Sequence, residues 1–162
     1  MPQVRAERHI NVDPATVFAF SQTTGDFRLK WDPFISQQGF LHGATAAGKG
    51  VQTRTVSRMR LGMVSEYVSY APPVNVGMKM VTGPWFFHNF GAGWRFTEHD
   101  GGTQAVWKYT FSCKPAWLKP LAERMGGWLL GREIERRLKA FAAACEDPEL
   151  LAEFRATQQG EG

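Results

Sequence analysis

The stretch "GWRFTEHDGGTQAVWKYTF", residues 93–111, holds two runs of alternating large and polar residues on either side of an Asp-Gly-Gly turn. Successive side chains of a strand point to opposite faces, so the second run has one aromatic face formed by Trp107, Tyr109 and Phe111. A glycine-containing turn between two such runs predicts a β-hairpin. The hairpin implies an antiparallel sheet with one apolar face that other elements must cover.

The composition of the 162-residue chain is that of one folded domain. Hydrophobic residues make up 43% and aromatic residues 13%, which excludes a disordered chain. The formal net charge of +4 is spread along the sequence, so we expect no nucleic-acid partner. The histidines and the two cysteines lack metal-ligand spacing, and we expect neither a metal nor a cofactor.

Two features of the sequence bear on where the protein works. The start of the chain lacks the apolar segment of a secretory signal. No apolar run approaches the roughly 18 residues that a membrane helix needs. We therefore expect a cytoplasmic protein, whose oligomeric state the sequence leaves open.

Strand and helix signals follow one another along the chain. Residues 3–12 predict a first strand, followed by a short helix that Asp13 caps and Pro14 begins. Asp26 can cap a second short helix, which Pro33 ends. The next part of the chain alternates strand-like runs with Gly or Pro breaks, which is typical of an antiparallel meander. The expected strands are 35–42, 51–59, 63–71, 74–81, 87–98 and 103–113.

A long helix is predicted over residues 116–146, because apolar residues recur there at spacings of three and four. Its apolar stripe consists of Leu121, Met125, Trp128, Gly131, Ile134, Leu138, Phe141 and Cys145. The charged residues Glu133, Arg136 and Arg137 fall on the other side, where we expect water. A short final helix and a frayed tail are expected in residues 147–162.

The predicted fold is α+β. An antiparallel sheet of about seven strands curls around the long C-terminal helix, because this helix is the element long enough to cover the apolar face. Two short helices follow strand 1. Residues 1–146 form the ligand-binding domain in this prediction, and residues 147–162 add the short C-terminal helix and tail.

Three motifs resemble those of the START/polyketide-cyclase superfamily, also called SRPBCC, whose fold is named helix-grip. They are "INVDPATVFAFSQTTGDFRLKWDPF" (10–34), "EYVSYAPP" (66–73) and the hairpin at 93–111. The resemblance covers residues 1–146, and "RMGGWLLG" (124–131) departs from the family pattern. It implies a lipid, sterol or polyketide bound in a hydrophobic cavity between the sheet and the long helix.

Three functions are compatible with this resemblance. The first is a carrier or sensor that holds a lipid or polyketide-like ligand. The second is a polyketide cyclase or dehydratase, in which a few inward polar residues move protons. The third is a protein-interaction domain with a vestigial cavity. We favour binding over catalysis, because no nucleophile, base and orienting group can be recognised together.

Inward aromatic and methionine side chains are the candidate ligand contacts, since small-molecule sites are mostly apolar and Met adapts to irregular shapes. They are Met78, Met80, Trp94, Phe96, Trp107, Tyr109, Met125 and Trp128. Plain core packing is the alternative for each of them. We expect Trp107 to face the glycine-rich start of the long helix, and Phe111 and Val74 to be core residues near its C-terminal half.

Two further apolar segments have more than one interpretation. Gly126, Gly127 and Gly131 weaken the start of the long helix, either for close packing against the aromatic strands or to admit a ligand. Trp85 and Phe86 stand at a tip between strands. Exposed rings there can make a transient membrane contact or form an interface, unless they fold back into the core.

The candidate catalytic residues are Glu66, Arg54 and His88. A carboxylate inside an apolar cavity can act as a general acid or base. Either Glu66 or its neighbour Tyr67 points inward, so the alternative is a Glu66 that faces solvent. Arg54 and His88 share this ambiguity. Asp32 most simply caps a turn.

Overall fold

The computed structural model describes residues 1–160, which form a seven-stranded antiparallel sheet and four helices. The strands are β1 (Gln3–Ile10), β2 (Ile35–Phe40), β3 (Gln52–Ser57), β4 (Gly62–Ala71), β5 (Asn75–Thr82), β6 (Phe87–His99) and β7 (Gly102–Cys113). The helices are α1 (Pro14–Ser21), α2 (Gly25–Leu29), α3 (Lys119–Glu146) and α4 (Pro148–Gly160). The order across the sheet is β1-β7-β6-β5-β4-β3-β2. Helix α3 packs against β1 and β7.

This architecture is the predicted helix-grip fold, with α1 and α2 inserted after β1 and the sheet curled around α3. The start of α1 is also as predicted, because the Asp13 carboxylate accepts a hydrogen bond from the Thr16 backbone N–H at 3.0 Å. The start of α2 differs from the prediction. Its N-cap is Thr24, and Asp26 lies in the first turn of the helix.

The C-terminal end of the chain is more regular than predicted. Helix α4 continues to Gly160, so residues 157–160 of the expected frayed tail are helical, and residues 161–162 lie outside the described part of the chain. Phe154 of α4 is buried against the Phe20 ring, with centroids 5.2 Å apart. The final helix therefore packs onto the domain through a specific aromatic contact.

The hairpin of β6 and β7 holds the aromatic face of the sheet in register. Its turn residues Asp100 and Gly101 have φ values of 46° and 74°. Two consecutive left-handed residues are the geometry of tight hairpin turns whose twist matches that of the strands. The resulting register pairs Trp94 with Trp107, and their rings stack with centroids 4.1 Å apart. The two strands therefore present one continuous aromatic surface toward α3.

Helix α3 has two halves that differ in burial. In the second half, residues 134–146, Phe141 is fully buried and packs on the Trp94 ring with centroids 4.9 Å apart. The other buried apolar residues there are Ile134, Leu138, Ala142, Ala144 and Cys145. In the first half, residues 119–131, four large apolar residues are more than half exposed, namely Leu121, Met125, Trp128 and Leu129, whereas Leu130 is partly buried. The predicted stripe therefore belongs to the packed core in the second half, whereas in the first half its large side chains are not part of that core.

The direction of α3 along β7 is opposite to the expected one. The chain turns back directly after β7, so the end of this strand lies beside the start of the helix. Phe111 is buried next to Gly126, where an added Cβ would lie 3.1 Å from the Phe111 ring. Trp107 instead lies 4.4 Å below the guanidinium of Arg137, in the second half. The expected surroundings of Trp107 and Phe111 are therefore wrong, as is a core position for Val74, which is 45% exposed.

Candidate functional site

An open cavity of about 540 Å³ lies between the concave face of the sheet and the first half of α3. Small-molecule sites in proteins span about 300–1,000 Å³, so this volume suits an organic ligand. The wall formed by β5, β6 and β7 is aromatic and rich in Met. The part of the lining formed by β2, β3 and β4 adds polar side chains, which are Gln38, Thr53, Thr55, Ser57 and Ser65.

Six of the eight predicted ligand contacts line this cavity. They are Met78, Met80, Trp94, Trp107, Tyr109 and Met125. The sheet register brings the strand residues together, because Ala92 of β6 lies between Met78 of β5 and Tyr109 of β7. The side chains on this face form one continuous wall, and their contact with a ligand stays a prediction.

Phe96 and Trp128 lie outside the cavity, contrary to the prediction. Phe96 is 2% exposed and stacks on Trp94 with ring centroids 5.3 Å apart, so it belongs to the core. Trp128 is 60% exposed, and the Arg132 guanidinium lies 5.0 Å from its ring centroid. The helical repeat explains the position of Trp128. In the first half of α3 the residues that face the cavity recur every four positions as adjacent pairs, and residue 128 falls between two pairs. These pairs are 121–122, 125–126 and 129–130.

The three candidate catalytic residues also lie away from the cavity. On β4 the inward residue is Tyr67, so strand alternation turns Glu66 to the outer face. There Glu66 accepts a hydrogen bond from Gln52 Nε2 at 3.3 Å. Arg54 and His88 are exposed and do not line the cavity. The structure therefore has the alternative in which these three residues do not point into the cavity.

The end of the cavity next to the second half of α3 is closed by a polar group that we call the floor cluster, Arg28, Asp32, Tyr109 and Arg137. The Asp32 carboxylate is fully buried and accepts hydrogen bonds from Arg137 Nε at 3.0 Å and Nη2 at 2.7 Å. Arg28 Nε donates to the same carboxylate at 3.1 Å. Arg137 Nη1 donates to the Tyr109 hydroxyl at 2.5 Å. Both arginines and Tyr109 line the cavity.

Two guanidinium groups share one carboxylate in this cluster. Burial alone would raise the pKa of Asp32, but the charges of Arg137 and Arg28, together with hydrogen bonds, lower it to about 2. The two cations also face aromatic rings, with Arg137 4.4 Å from the Trp107 centroid and Arg28 4.2 Å from that of Trp31. The floor cluster therefore holds two positive charges against one negative charge.

Both tyrosines near the floor keep their protons at neutral pH. Burial raises the pKa of Tyr109, although the charge of Arg137 works against this shift. Burial likewise raises the pKa of Tyr67 to about 12, against the charge of Arg28. The Tyr67 hydroxyl donates to Gln22 Oε1 at 2.9 Å. The Tyr109 hydroxyl accepts from Arg137, so its own proton can be donated to a group in the cavity.

Glu133 adds a carboxylate to the wall, one helical turn from Arg137. Its Oε2 lies 4.0 Å from Arg136 Nη1, whereas its Oε1 is buried and has no hydrogen-bond partner among residues 1–160. The prediction that Glu133 and Arg137 face water on the outer side of the helix is therefore wrong. A signal was present, because Arg137 falls in phase with Ile134 and Phe141 at spacings of three and four.

Residues 1–146 match the family described as polyketide cyclase / dehydrase and lipid transport. The chain therefore belongs to this family, which is START-like (SRPBCC) and has the helix-grip fold. No curated protein matches the chain. Among residues 1–160, none of the helices combines the length and the apolar character needed to cross a bilayer.

Solved structures with low sequence identity share the fold. A protein from Thermus thermophilus is 18% identical with a TM-score of 0.70, over 90% of this chain and 100% of that chain. The protein XoxI from Bacillus cereus is 15% identical with a TM-score of 0.71, over 92% and 99%. A START superfamily protein from Mycobacterium smegmatis is 12% identical with a TM-score of 0.64, over 85% and 97%. At such identities the likeness concerns the fold alone.

The buried ion pairs of Asp32 predict an acid-sensitive stability. Folding lowers the pKa of Asp32 from 3.8 to about 2, so its ionised form stabilises the native state above pH 3.8. This contribution, about 2 kcal/mol, is lost as the pH falls through the folded-state pKa. As the pH falls through this range, the free energy of unfolding measured in urea should decrease less for Asp32→Asn than for the wild type. Asp26→Asn, at an exposed position of α2, is the control and should keep the wild-type dependence. An Asp32 carboxyl that titrates at 3.8 by NMR would contradict this account.

Proposed function

We propose that this protein binds a hydrophobic small molecule, such as a lipid or a polyketide-like compound, in its cavity and acts as a carrier or sensor. Membership of a family whose description includes lipid transport supports the proposal. The cavity volume of about 540 Å³ and the aromatic wall around Trp94, Trp107 and Tyr109 support it as well. In this arrangement the apolar body of the ligand lies along α3, and its polar end meets the floor cluster.

The observation that carries the proposal is the exposure of apolar side chains that line the cavity. Leu121, Met125 and Leu129 are 59%, 55% and 52% exposed. Burying a large apolar side chain contributes about 1.5–3 kcal/mol, so a row of them left in water around a cavity is unfavourable in the free protein. An apolar ligand would cover this surface, and part of the gain would appear as binding energy.

A second candidate function is chemistry on the bound ligand, as in a cyclase or dehydratase. The observation that favours it is the pair of donors at the floor, since Arg137 and Tyr109 could polarise a ketone oxygen. The unpaired Oε1 of Glu133 lies on the same cavity wall and could accept a proton from carbon beside that ketone. The reaction class would be enolisation followed by ring closure or loss of water.

The proposed binding predicts a loss of affinity when the cavity is filled. In Ala92→Phe a ring would occupy the space between Met78 and Tyr109, so an apolar fluorescent probe should bind at least about tenfold more weakly than to the wild type. Ala152→Phe places the same ring on the exposed surface of α4 and should leave affinity unchanged. Saturating probe should raise the melting temperature of the wild type through linkage.

Three outcomes of this measurement separate the candidate functions. A probe that binds and is recovered unchanged supports a carrier or sensor. A ketone-bearing probe recovered with a closed ring or without a water molecule supports the cyclase or dehydratase. No binding of any apolar probe and no shift of the melting temperature contradicts both, and leaves the interaction domain with a vestigial cavity.

We also propose that the mouth of the cavity makes transient contact with a membrane through Trp85 and Phe86. Trp85 is 73% exposed and packs edge-on against Phe86, which lines the cavity. Amphipathic rings are favourable at a membrane surface.

Trp85→Ala should reduce cosedimentation with phospholipid vesicles several-fold, with probe binding unchanged. Val74→Ala, at the opposite end of the sheet, is the control, and equal cosedimentation of all three proteins would contradict the proposal.

A further inference from the structure

The floor cluster has a chemical preference that the proposed function leaves unspecified. We propose that the ligand carries a carboxylate at its polar end, and that Arg28 and Arg137 bind this carboxylate at the floor of the cavity. The ligand class is thus an amphiphilic carboxylic acid with an apolar body. This inference rests on the proposed function, because it names the ligand of the same cavity.

The charge count of the floor cluster supports an anionic partner. Arg28 and Arg137 are 7% and 8% exposed, and both share the single carboxylate of Asp32. One positive charge is therefore not neutralised inside the cluster. A buried charge is costly unless it is paired, so an anion that enters the cavity gains a strong partner.

The hydrogen-bond donors of the cluster point to the same conclusion. Arg28 uses Nε for Asp32 and Nη1 for the backbone oxygen of Ser21 at 2.9 Å. Its Nη2 has no acceptor among residues 1–160, and Arg28 lines the cavity. The Tyr109 hydroxyl accepts from Arg137 and keeps a proton to donate. A carboxylate, which has about four acceptor sites, can receive the donors that remain.

The position of the cluster separates the polar and apolar ends of the ligand. Along α3 the lining residues run from the exposed Leu121 through Met125 and Leu129 to Arg137 at the closed end. Between these ends the sheet offers aromatic and Met side chains, with Met78 as an example. A molecule with one acidic end and an apolar body would match both regions at once.

The negative charge of Glu133 repels an acidic ligand. A variant without this charge should therefore change carboxylate binding in the direction opposite to a variant without the Arg28 charge. Its carboxylate lines the wall one turn from Arg137, and its closest described cation is Arg136 at 4.0 Å. Its charge lies outside the hydrogen-bonded cluster and is partly solvated, with the side chain 24% exposed. Removal of this charge should therefore favour the bound carboxylate, whereas removal of the Arg28 charge should oppose it.

The test compares dodecanoic acid with dodecanol, which share the apolar chain and differ in the charge of the polar end. At neutral pH the wild type should bind the acid about ten- to a hundredfold more tightly than the alcohol. This ratio corresponds to the usual contribution of hydrogen bonds that involve a charged group. Isothermal titration calorimetry measures both affinities. The ratio of the two affinities, rather than either alone, reports the preference for the carboxylate.

Three variants locate the preference. Arg28→Gln leaves the Arg137–Asp32 pair neutral and should reduce the ratio to about one, because the acid loses more affinity than the alcohol. Arg124→Gln removes an exposed charge from the first half of α3 and is the matched control, which should keep the wild-type ratio. Glu133→Gln should raise the ratio several-fold. If Arg28→Gln does not fold, the ratio in the wild type and its change in Glu133→Gln still decide the question.

The outcomes distinguish this inference from the proposed function. Binding of neither dodecanoic acid nor dodecanol overturns the proposed function and the inference with it. Binding of both with a ratio of about one in the wild type overturns the inference alone. A ratio that falls in Arg124→Gln and not in Arg28→Gln also overturns it, because the acid would then lie at the mouth.

Discussion

The rest of the structure depends on the carboxylate of Asp32, which two arginines share in the interior. Arg28 reaches it from α2 and Arg137 reaches it from α3, so one buried group ties the short helices to the long one. Removal of one partner from a buried ion pair costs about 3–5 kcal/mol, because the remaining charge stays without compensation. This cluster therefore fixes where α3 lies on the sheet.

This anchoring explains why α3 is packed at one end and open at the other. Beyond Arg137, Phe141 and its neighbours complete the core against Trp94 and Trp31. Before it, the helix borders a cavity, and Leu121, Met125 and Leu129, which line that cavity, are more than half exposed. Gly126 lies in this first half as a close contact with Phe111, whereas an added Cβ at Gly127 would meet no atom within 4 Å. Close packing thus accounts for Gly126 and not for Gly127.

Much of the fold was predictable from local sequence signals, and the charged part of the site was not. The strand alternation around Trp107 and the turn at Asp100 and Gly101 identify the hairpin, because period and turn chemistry are local properties. One partner of Asp32, Arg28, is four positions away, but the other, Arg137, is 105 positions away and no local signal links it to Asp32. Charged residues on a helix usually face water, and this rule misplaced Arg137.

The outer position of Glu66 illustrates a second limit of sequence reasoning. A strand pattern shows which residues share a face but not which face points inward. A shift of one residue turns Tyr67 inward and Glu66 outward, or the reverse. The same limit applied to the direction of α3. Helical periodicity was correct around Phe141, yet nothing in it showed that the helix start would lie beside Phe111 rather than Trp107.

The most direct test of this account is amide hydrogen exchange along α3, since its central claim is that one half of the helix completes the core and the other borders an open cavity. In the free protein, amides of residues 119–131 should exchange at least about tenfold faster than those of residues 134–145, because fewer buried contacts protect them. Saturation with dodecanol, which needs no charged end, should slow the first group and leave the second unchanged. Equally slow exchange along the whole helix, with no response to the alcohol, would contradict the account.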